Sequence, residues 1–265
     1  MSQVSRTPKA AAPASLNGSR LIRYLTDLAV TDCGVSHQQF AERLGRLIDF
    51  SDSIILSAAH GELPTLAFEK TTESSAEVND KFMSTRMGMV QFIVDSCVLK
   101  SCKTRIKFPS LDMGGALDPE GSFDPQTGFD AYHRFYLLQQ RDMDIKIQHL
   151  RVEIRDSATG ASPRLAQLAV LDTALGDTLQ SHTRRFFSVI PKLLERRFKA
   201  LFQHHQQSIQ STGRPDEPLS WSEPGGWIEQ FCRESRGLLL AELDIRLQPV
   251  LGLVEALNEE VQGNH

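Results

Sequence analysis

The sequence predicts an all-α protein, a bundle of long antiparallel helices with a small N-terminal helical cap. Apolar residues recur at steps of three and four over long stretches, which is the period of one helix face. The β-branched runs that favour strands are scarce. With 265 residues, 40% of them hydrophobic, the chain can bury a substantial core.

Composition also limits the classes of function. The net charge of −4 argues against a protein whose whole surface binds nucleic acid, although a local basic patch stays possible. No apolar run approaches the ~18 residues of a membrane span, so we expect no membrane crossing. Four cysteines without paired spacing and without a secretory signal predict reduced thiols in a cytoplasmic protein.

The chain divides into a tail and one helical domain. Residues 1–18, rich in Ala, Ser and Pro, are expected to be a disordered tail. Residues 19–265 form the predicted domain, in which residues 19–61 are a cap of three short helices, the last ending at Gly61. Residues 74–261 are the predicted long-helix bundle, with loops at 100–124 and 207–226.

Two predicted helices precede the middle of the bundle. Ser74 and Glu77 have the capping-box spacing, and the helix that they start runs to about Leu99. After the loop, Asp124 caps a second long helix. That helix stops at the turn 156–160 and places one apolar line along its length: Phe129, Tyr132, Tyr136, Met143, Ile147, Leu150 and Ile154.

The stretch 162–207 organises the rest of the chain. Ser162 is a predicted cap, followed by proline at the first helical position. A single helix here would be about 65 Å long, with Pro191 as a possible bend, and would form an antiparallel hairpin with the preceding helix. Its predicted core face contains Leu168, Leu171, Leu175, Leu179, His182, Phe186, Ile190 and Leu193.

A last helix is predicted at 227–261, with a kink near Ile245 caused by Pro249. Its late part has a heptad-like seam that suits a partner helix. The seam residues are Leu247, Val250, Val254 and Leu257.

Several tracts resemble an uncharacterised proteobacterial family catalogued only as a domain of unknown function. The tracts are 129–136, 140–143, 165–168 and, as the most specific, 238–257 around Pro249. The resemblance spans about residues 19–260 and implies one domain in a bacterial cytoplasm. It also implies coiled-coil or envelope-associated proteins as partners, and it supplies no functional residues.

Candidate chemistry is sparse. No phosphate-binding loop or nucleophile-elbow motif occurs, adjacent His204 and His205 point about 100° apart on a helix, and the acidic loop 112–124 lacks calcium-loop spacing. We therefore expect no enzyme activity, no cofactor and no metal. His182 is predicted to be a hydrogen-bonded core residue, with a pH switch as the alternative. Other polar core positions with expected partners across the hairpin are Tyr132, His133 and Gln139.

A basic segment between His182 and His205 remains. It is interpreted as a solvated helix face, as a docking surface for an acidic protein, or as a nucleic-acid site. The candidate interaction residues in it are Arg184, Arg185, Arg196, Arg197 and Lys199. The function predicted is a non-enzymatic protein-interaction module, an adaptor or regulatory subunit, in which self-association is possible. The alternative is a nucleic-acid-binding regulator that uses residues 182–205.

Overall fold

The computed structural model of the protein describes residues 20–21, 50–63, 74–98, 104–110, 123–213 and 215–263. The predicted tail, most of the first two cap helices and most of loop 100–124 lie outside these residues. Within them the fold is all-α, as predicted. Its helices are α1 (Phe50–Glu62), α2 (Ser75–Ser96), α3 (Pro125–Ala161), α4 (Pro163–Phe187), α5 (Ile190–Thr212), a 3₁₀ helix (Pro218–Ser222), α6 (Trp227–Arg246) and α7 (Gln248–Gly263).

Helix α3 is the axis of the bundle, 37 residues or about 55 Å long. Asp124 caps it as predicted, because its carboxylate accepts a hydrogen bond from the Thr127 N–H. The apolar line predicted for this helix is buried at every position, and α2, α4, α5, α6 and α7 all pack against it. The predicted stop at 156–160 is wrong, since the helix continues to Ala161.

Helices α3 and α4 form the predicted hairpin, joined through the N-cap residue Ser162. Two guanidinium groups of α3, those of Arg151 and Arg155, both bind the Asp172 carboxylate of α4 at 2.6 Å. Gly176 makes room for this arrangement, because a Cβ there would lie 3.0 Å from a nitrogen of Arg151. Paired charges therefore fix the register of the hairpin.

The single helix predicted over 162–207 is wrong, because α4 ends at Phe187 and α5 begins at Ile190. The predicted core face of α4 is wrong as well. Leu168, Leu175 and Phe186 are exposed and His182 is half-buried. The face that α4 turns inward contains mostly small residues: Leu165, Ala166, Ala169, Ala174 and Thr178.

The C-terminal segment divides near the predicted kink. Helix α6 ends at Arg246 and α7 begins at Gln248, because Pro249 has no N–H to continue the hydrogen-bond ladder. The predicted loop 207–226 is partly wrong, since α5 continues to Thr212 and the 3₁₀ helix follows it. Trp221 on that 3₁₀ helix is buried and donates its indole N–H to Asp216 at 2.7 Å.

Helix α2 begins with the predicted capping box, in which Ser74 and Glu77 each bond to the other's backbone N–H. It ends at Ser96, three residues before the predicted end near Leu99, and its Met83 and Met87 are exposed. None of the described helices is long and apolar enough to cross a membrane.

One hydrophobic cluster runs through the bundle from Leu21 to Leu257. Its centre is aromatic: the ring of Phe198 on α5 lies 5.1–5.5 Å from those of Phe129, Tyr132, Phe231 and Trp227. Helix α5 is thereby held against α3 and α6.

Replacing Phe198 by Ala should lower the free energy of unfolding by about 3–5 kcal/mol, because a fully buried ring leaves a cavity among four other rings. Urea titration followed by circular dichroism measures this change. Phe186→Ala, at a half-exposed ring, is the matched control and should cost less than about 1 kcal/mol. Equal losses in the two variants would contradict the proposed core.

Candidate functional site

The break between α4 and α5 follows from Pro191. An α-helix would bond the N–H of residue 191 to the carbonyl of Phe187, and proline has no N–H to donate. The Phe187 carbonyl instead accepts a hydrogen bond from the Gln140 side-chain amide of α3, at 3.2 Å. A buried carbonyl that the helix leaves open thus has a partner from another helix.

Gln140 belongs to a buried polar cluster around Glu242 of α6. The Glu242 carboxylate has no exposed surface. It accepts hydrogen bonds from the Tyr136 hydroxyl at 2.9 Å and from the Gln140 amide at 2.9 Å. Arg246, one turn further along α6, binds the same carboxylate through two nitrogens at 2.8 and 2.6 Å. Every partner that a buried carboxylate needs is therefore present.

Arg246 connects this cluster to the break. Its guanidinium carbon lies 3.8 Å from the centre of the Phe187 ring, within the range of a cation–π contact. The same guanidinium also pairs with Asp144 of α3 at the protein surface. Glu242 therefore holds two groups, Gln140 and Arg246, that both contact the last residue of α4.

The surroundings of the cluster raise the pKa of two of its members, Glu242 and Tyr136. Burial raises the pKa of Glu242 above its ordinary value of 4.5, although Arg246, Tyr136 and Gln140 oppose this shift. Burial, followed by the charge of Glu242, raises the pKa of Tyr136 well above 10.0. The Tyr136 hydroxyl therefore stays protonated and donates its hydrogen bond, and the raised pKa means that Glu242 keeps its proton to a higher pH than an exposed glutamate does.

A second buried pair lies near α2. The Cys232 thiol donates to the Cys97 carbonyl at 2.9 Å, and both cysteines are free and buried. A hydrogen bond with Cys232, together with burial, raises the pKa of Cys97. Cys33 and Cys102 lie outside the described residues. Among the described residues, no three His, Cys, Asp or Glu side chains group as metal ligands do.

At the surface, the break carries apolar and basic side chains side by side. Phe186 is 50% exposed, Val189 46% and Leu137 of α3 44%. We call this the break surface; it comprises Leu137, Arg184, Arg185, Phe186, Val189 and Lys192. A cavity of about 190 Å³ opens in it, lined by Leu137, Arg184, Phe187, Pro191 and Lys192 among others.

The basic residues predicted as interaction sites fall into two groups. Arg184, Arg185 and Arg196 are exposed, and none of them has an ion-pair partner among the described residues. Arg197 instead binds Glu234 of α6 through two nitrogens at 2.8 and 2.7 Å, and this hydrogen bonding raises its pKa. Lys199 pairs with Glu195 at 2.7 Å. Only the first group is free to bind another molecule.

The predicted C-terminal seam is not a surface. Leu247, Val250, Val254 and Leu257 are all buried, and α7 packs against α2, α3 and α4. The expectation that the seam receives a partner helix is corrected here, because the protein's own helices occupy it. A heptad-like spacing reports a buried stripe and does not distinguish an internal helix from an external one.

The polar residues predicted in the core are not all buried, and the partner of Gln139 differs from the one expected. Tyr132 and Gln139 are buried, and the Gln139 amide donates to Ser96 of α2 at 2.6 Å, so its partner lies outside the hairpin. His133 is half-buried and stacks on Phe129. Sequence reasoning named Arg184, Arg185 and the bend at Pro191 but missed Glu242 and the exposed apolar side chains of the break surface, Leu137, Phe186 and Val189.

The chain belongs to a family of proteins of unknown function, DUF3348, whose family model matches residues 7–259. The match covers nearly the whole chain and confirms the resemblance drawn from its motifs. Neither the curated proteins nor the solved structures contain a match to this chain.

Replacing Glu242 by Gln keeps the shape of the side chain and removes its charge. We expect this variant to be less destabilised than Glu242→Ala at pH 7, because its amide oxygen still accepts hydrogen bonds in the cluster and Asp144 still partners Arg246. Glu242→Ala should instead lower the free energy of unfolding by about 2–4 kcal/mol, because Tyr136 and Gln140 lose a buried acceptor. Urea denaturation of both variants measures the contrast.

The same residue predicts a pH dependence. Since the folded-state pKa of Glu242 is raised, the folded protein binds this proton more tightly than the unfolded chain. The contribution of Glu242 to the free energy of unfolding should therefore fall as pH rises from about 4.5 through the raised pKa. Glu242→Gln should lack this component in a urea series from acidic to neutral pH. Parallel curves for the two proteins would contradict the raised pKa.

Proposed function

We propose that this member of the family is a non-enzymatic protein-interaction module, an adaptor or regulatory subunit, that binds an acidic partner protein through the break surface. One observation carries the proposal. Leu137 is about half exposed and lines a cavity with Arg184 and Lys192. Phe186 and Val189 are also about half exposed and follow Arg185 in the chain. Arg184 and Arg185 have no ion-pair partner among the described residues. Exposed apolar groups next to unpaired charge are typical of binding surfaces.

The charge of the break surface stands out against the rest of the chain. The protein as a whole carries a net charge of −4, whereas the break surface contains Arg184, Arg185 and Lys192. Asp144 also lines the cavity in this surface, and it is paired with Arg246. Such a local excess of positive charge accelerates encounters with an acidic partner and weakens as salt increases. The partner predicted from this charge presents carboxylates around an apolar anchor.

The cavity supports an anchor of that kind. At about 190 Å³ it holds one side chain rather than a separate ligand, and its walls include Leu137, Phe187 and Pro191. The aliphatic stem and charge of Lys192 lie at the same cavity, so one apolar side chain of the partner can enter while a neighbouring carboxylate pairs with the lysine.

A nucleic-acid-binding regulator, the alternative function, has less support. Two of its expected phosphate ligands, Arg197 and Lys199, are engaged with Glu234 and Glu195. Fewer free cations mean fewer phosphates neutralised and weaker binding. We further propose that the protein works in a bacterial cytoplasmic assembly with coiled-coil or envelope-associated partners, which is what the family resemblance implies.

Capture of the tagged full-length protein from its own cells, with nuclease present, tests the proposal. We expect a stoichiometric protein partner whose yield falls at least tenfold in Arg184→Glu and in Phe186→Ser. Arg184→Glu reverses a positive charge of the break surface, and Phe186→Ser removes an apolar contact from it. Quantitative mass spectrometry measures the yield.

Matched controls keep this experiment specific. Arg233→Glu changes an exposed arginine 13 residues before Arg246 on α6, about 20 Å away along the helix, and Leu219→Ser changes an 83% exposed leucine on the 3₁₀ helix. Both should retain the partner. Loss of the co-purifying material on nuclease treatment would favour the nucleic-acid alternative, and retention by Arg184→Glu would rule out the break surface.

A further inference from the structure

Helix α4 buries small residues and leaves several of its leucines partly exposed. Its small residues Ala166, Ala169 and Ala174 are buried, whereas Leu168 is 36% and Leu175 40% exposed. Leu171 and Leu179 are half-buried on the same line, which recurs at steps of three and four. Helix α1 also packs against α4, and these leucines stay partly exposed beside it. Burying a leucine side chain fully is worth about 1.5–3 kcal/mol, so covering their exposed surface would stabilise a complex.

These leucines line two neighbouring cavities beside α7, which runs antiparallel to α4, and the two cavities together outline a groove. One end of the groove is a cavity of about 550 Å³, lined by Leu168, Leu171, Ala256 and Glu259 among others. The other end is a cavity of about 460 Å³, lined by Leu175, Leu179 and Pro249 among others. The row from Leu168 to Leu179 is about 17 Å long, which equals three turns of a helix.

The side of the groove formed by α7 has small side chains. Pro249 and Ala256 line its two cavities, and Gly252 lies between them on the same helix face by spacing. A Cβ added at Gly252 would meet no atom within 4 Å, so the described fold does not require glycine there. Glycine inside a helix costs about 0.5–1 kcal/mol relative to alanine. Because Gly252 has no side chain, another helix can approach α7 closely at this position.

The α7 side of the groove is also acidic. Glu255, Glu259 and Glu260 have no ion-pair partner among the described residues, and Gln248–Gly263 contains no lysine or arginine. Arg164 of α4 lines the same cavity as Glu259 and Glu260, which leaves net negative charge at that end. The cavity at the other end is lined by Arg151 and Arg246, and both of these arginines are paired with carboxylates, so among the described residues that line the groove the unpaired negative charge lies at the Glu259 end alone. Carboxylates at a helix C-terminus oppose the helix dipole, so a cationic partner would relieve a local cost.

We propose that this groove, here named the leucine groove, binds a positively charged amphipathic helix of a partner protein. The apolar face of that helix covers Leu168 to Leu179, and its lysines or arginines pair with Glu259 and Glu260. A three-turn row of leucines matches one helix, whereas a stable dimer buries about 800 Å² on each copy. The proposal goes beyond the break surface, since it adds a second docking site of opposite charge.

A peptide pair tests the groove on the full-length protein. The probe is an 18-residue helical peptide of Leu, Lys and Ala with leucines at i, i+3, i+4 and i+7, and its match carries Glu in place of each Lys. Isothermal titration calorimetry should show binding of the Lys peptide and at least tenfold weaker binding of the Glu peptide. Leu175→Glu should weaken the Lys peptide at least tenfold, whereas Leu219→Glu, at an exposed leucine outside the groove, should leave it unchanged.

A second variant, which reverses charge on α7, tests the same proposal in case Leu175→Glu does not fold. Glu259→Lys/Glu260→Lys, at the end of α7, should reverse the preference so that the Glu peptide binds more tightly. Equal binding of both peptides by wild type, no binding of either, or unchanged affinity in the groove variants would overturn the proposal. Light scattering that gives a dimer for wild type and a monomer for Leu175→Glu would also overturn it, because a second copy would then occupy the groove.

Discussion

The Glu242 carboxylate is the constraint on which the middle of the bundle depends. A carboxylate with no exposed surface must be neutral or fully partnered, and its partners come from α3 and from the next turn of α6. Gln140 and Arg246, which bind it, also contact the carbonyl and the ring of Phe187. The end of α4 is thus positioned by a polar group in the core, and the break surface is built on that end.

Helix α4 buries small side chains and exposes larger apolar ones. Its buried side consists mainly of alanines, so it lies close to α3, and the Asp172 pairing with Arg151 and Arg155 holds it there. Its leucines then face the groove beside α7. The break surface is basic and the Glu259 end of the groove is acidic, so one helix takes part in two proposed docking sites that differ in charge. This arrangement suits an adaptor that joins two proteins.

Parts of the candidate site could be predicted from the sequence and parts could not. Arg184, Arg185 and Arg196 are visible as a basic run, and their exposure agrees with that interpretation. The pairing of Arg197 depends on Glu234, which lies 37 residues away and on another helix. The burial of Val250 and Val254 likewise depends on α2, α3 and α4, because periodicity identifies an apolar face without stating what covers it.

The helices and several of their ends follow from local residue patterns. Ser74, Asp124, Ser162 and Pro249 act through local backbone chemistry, which needs only neighbouring residues. The tertiary structure decided which face of α4 is buried and where the carbonyl of Phe187 finds its donor. Both depend on contacts between residues distant in the chain: close packing of alanines against α3 in one case, and desolvation of Glu242 among its partners in the other.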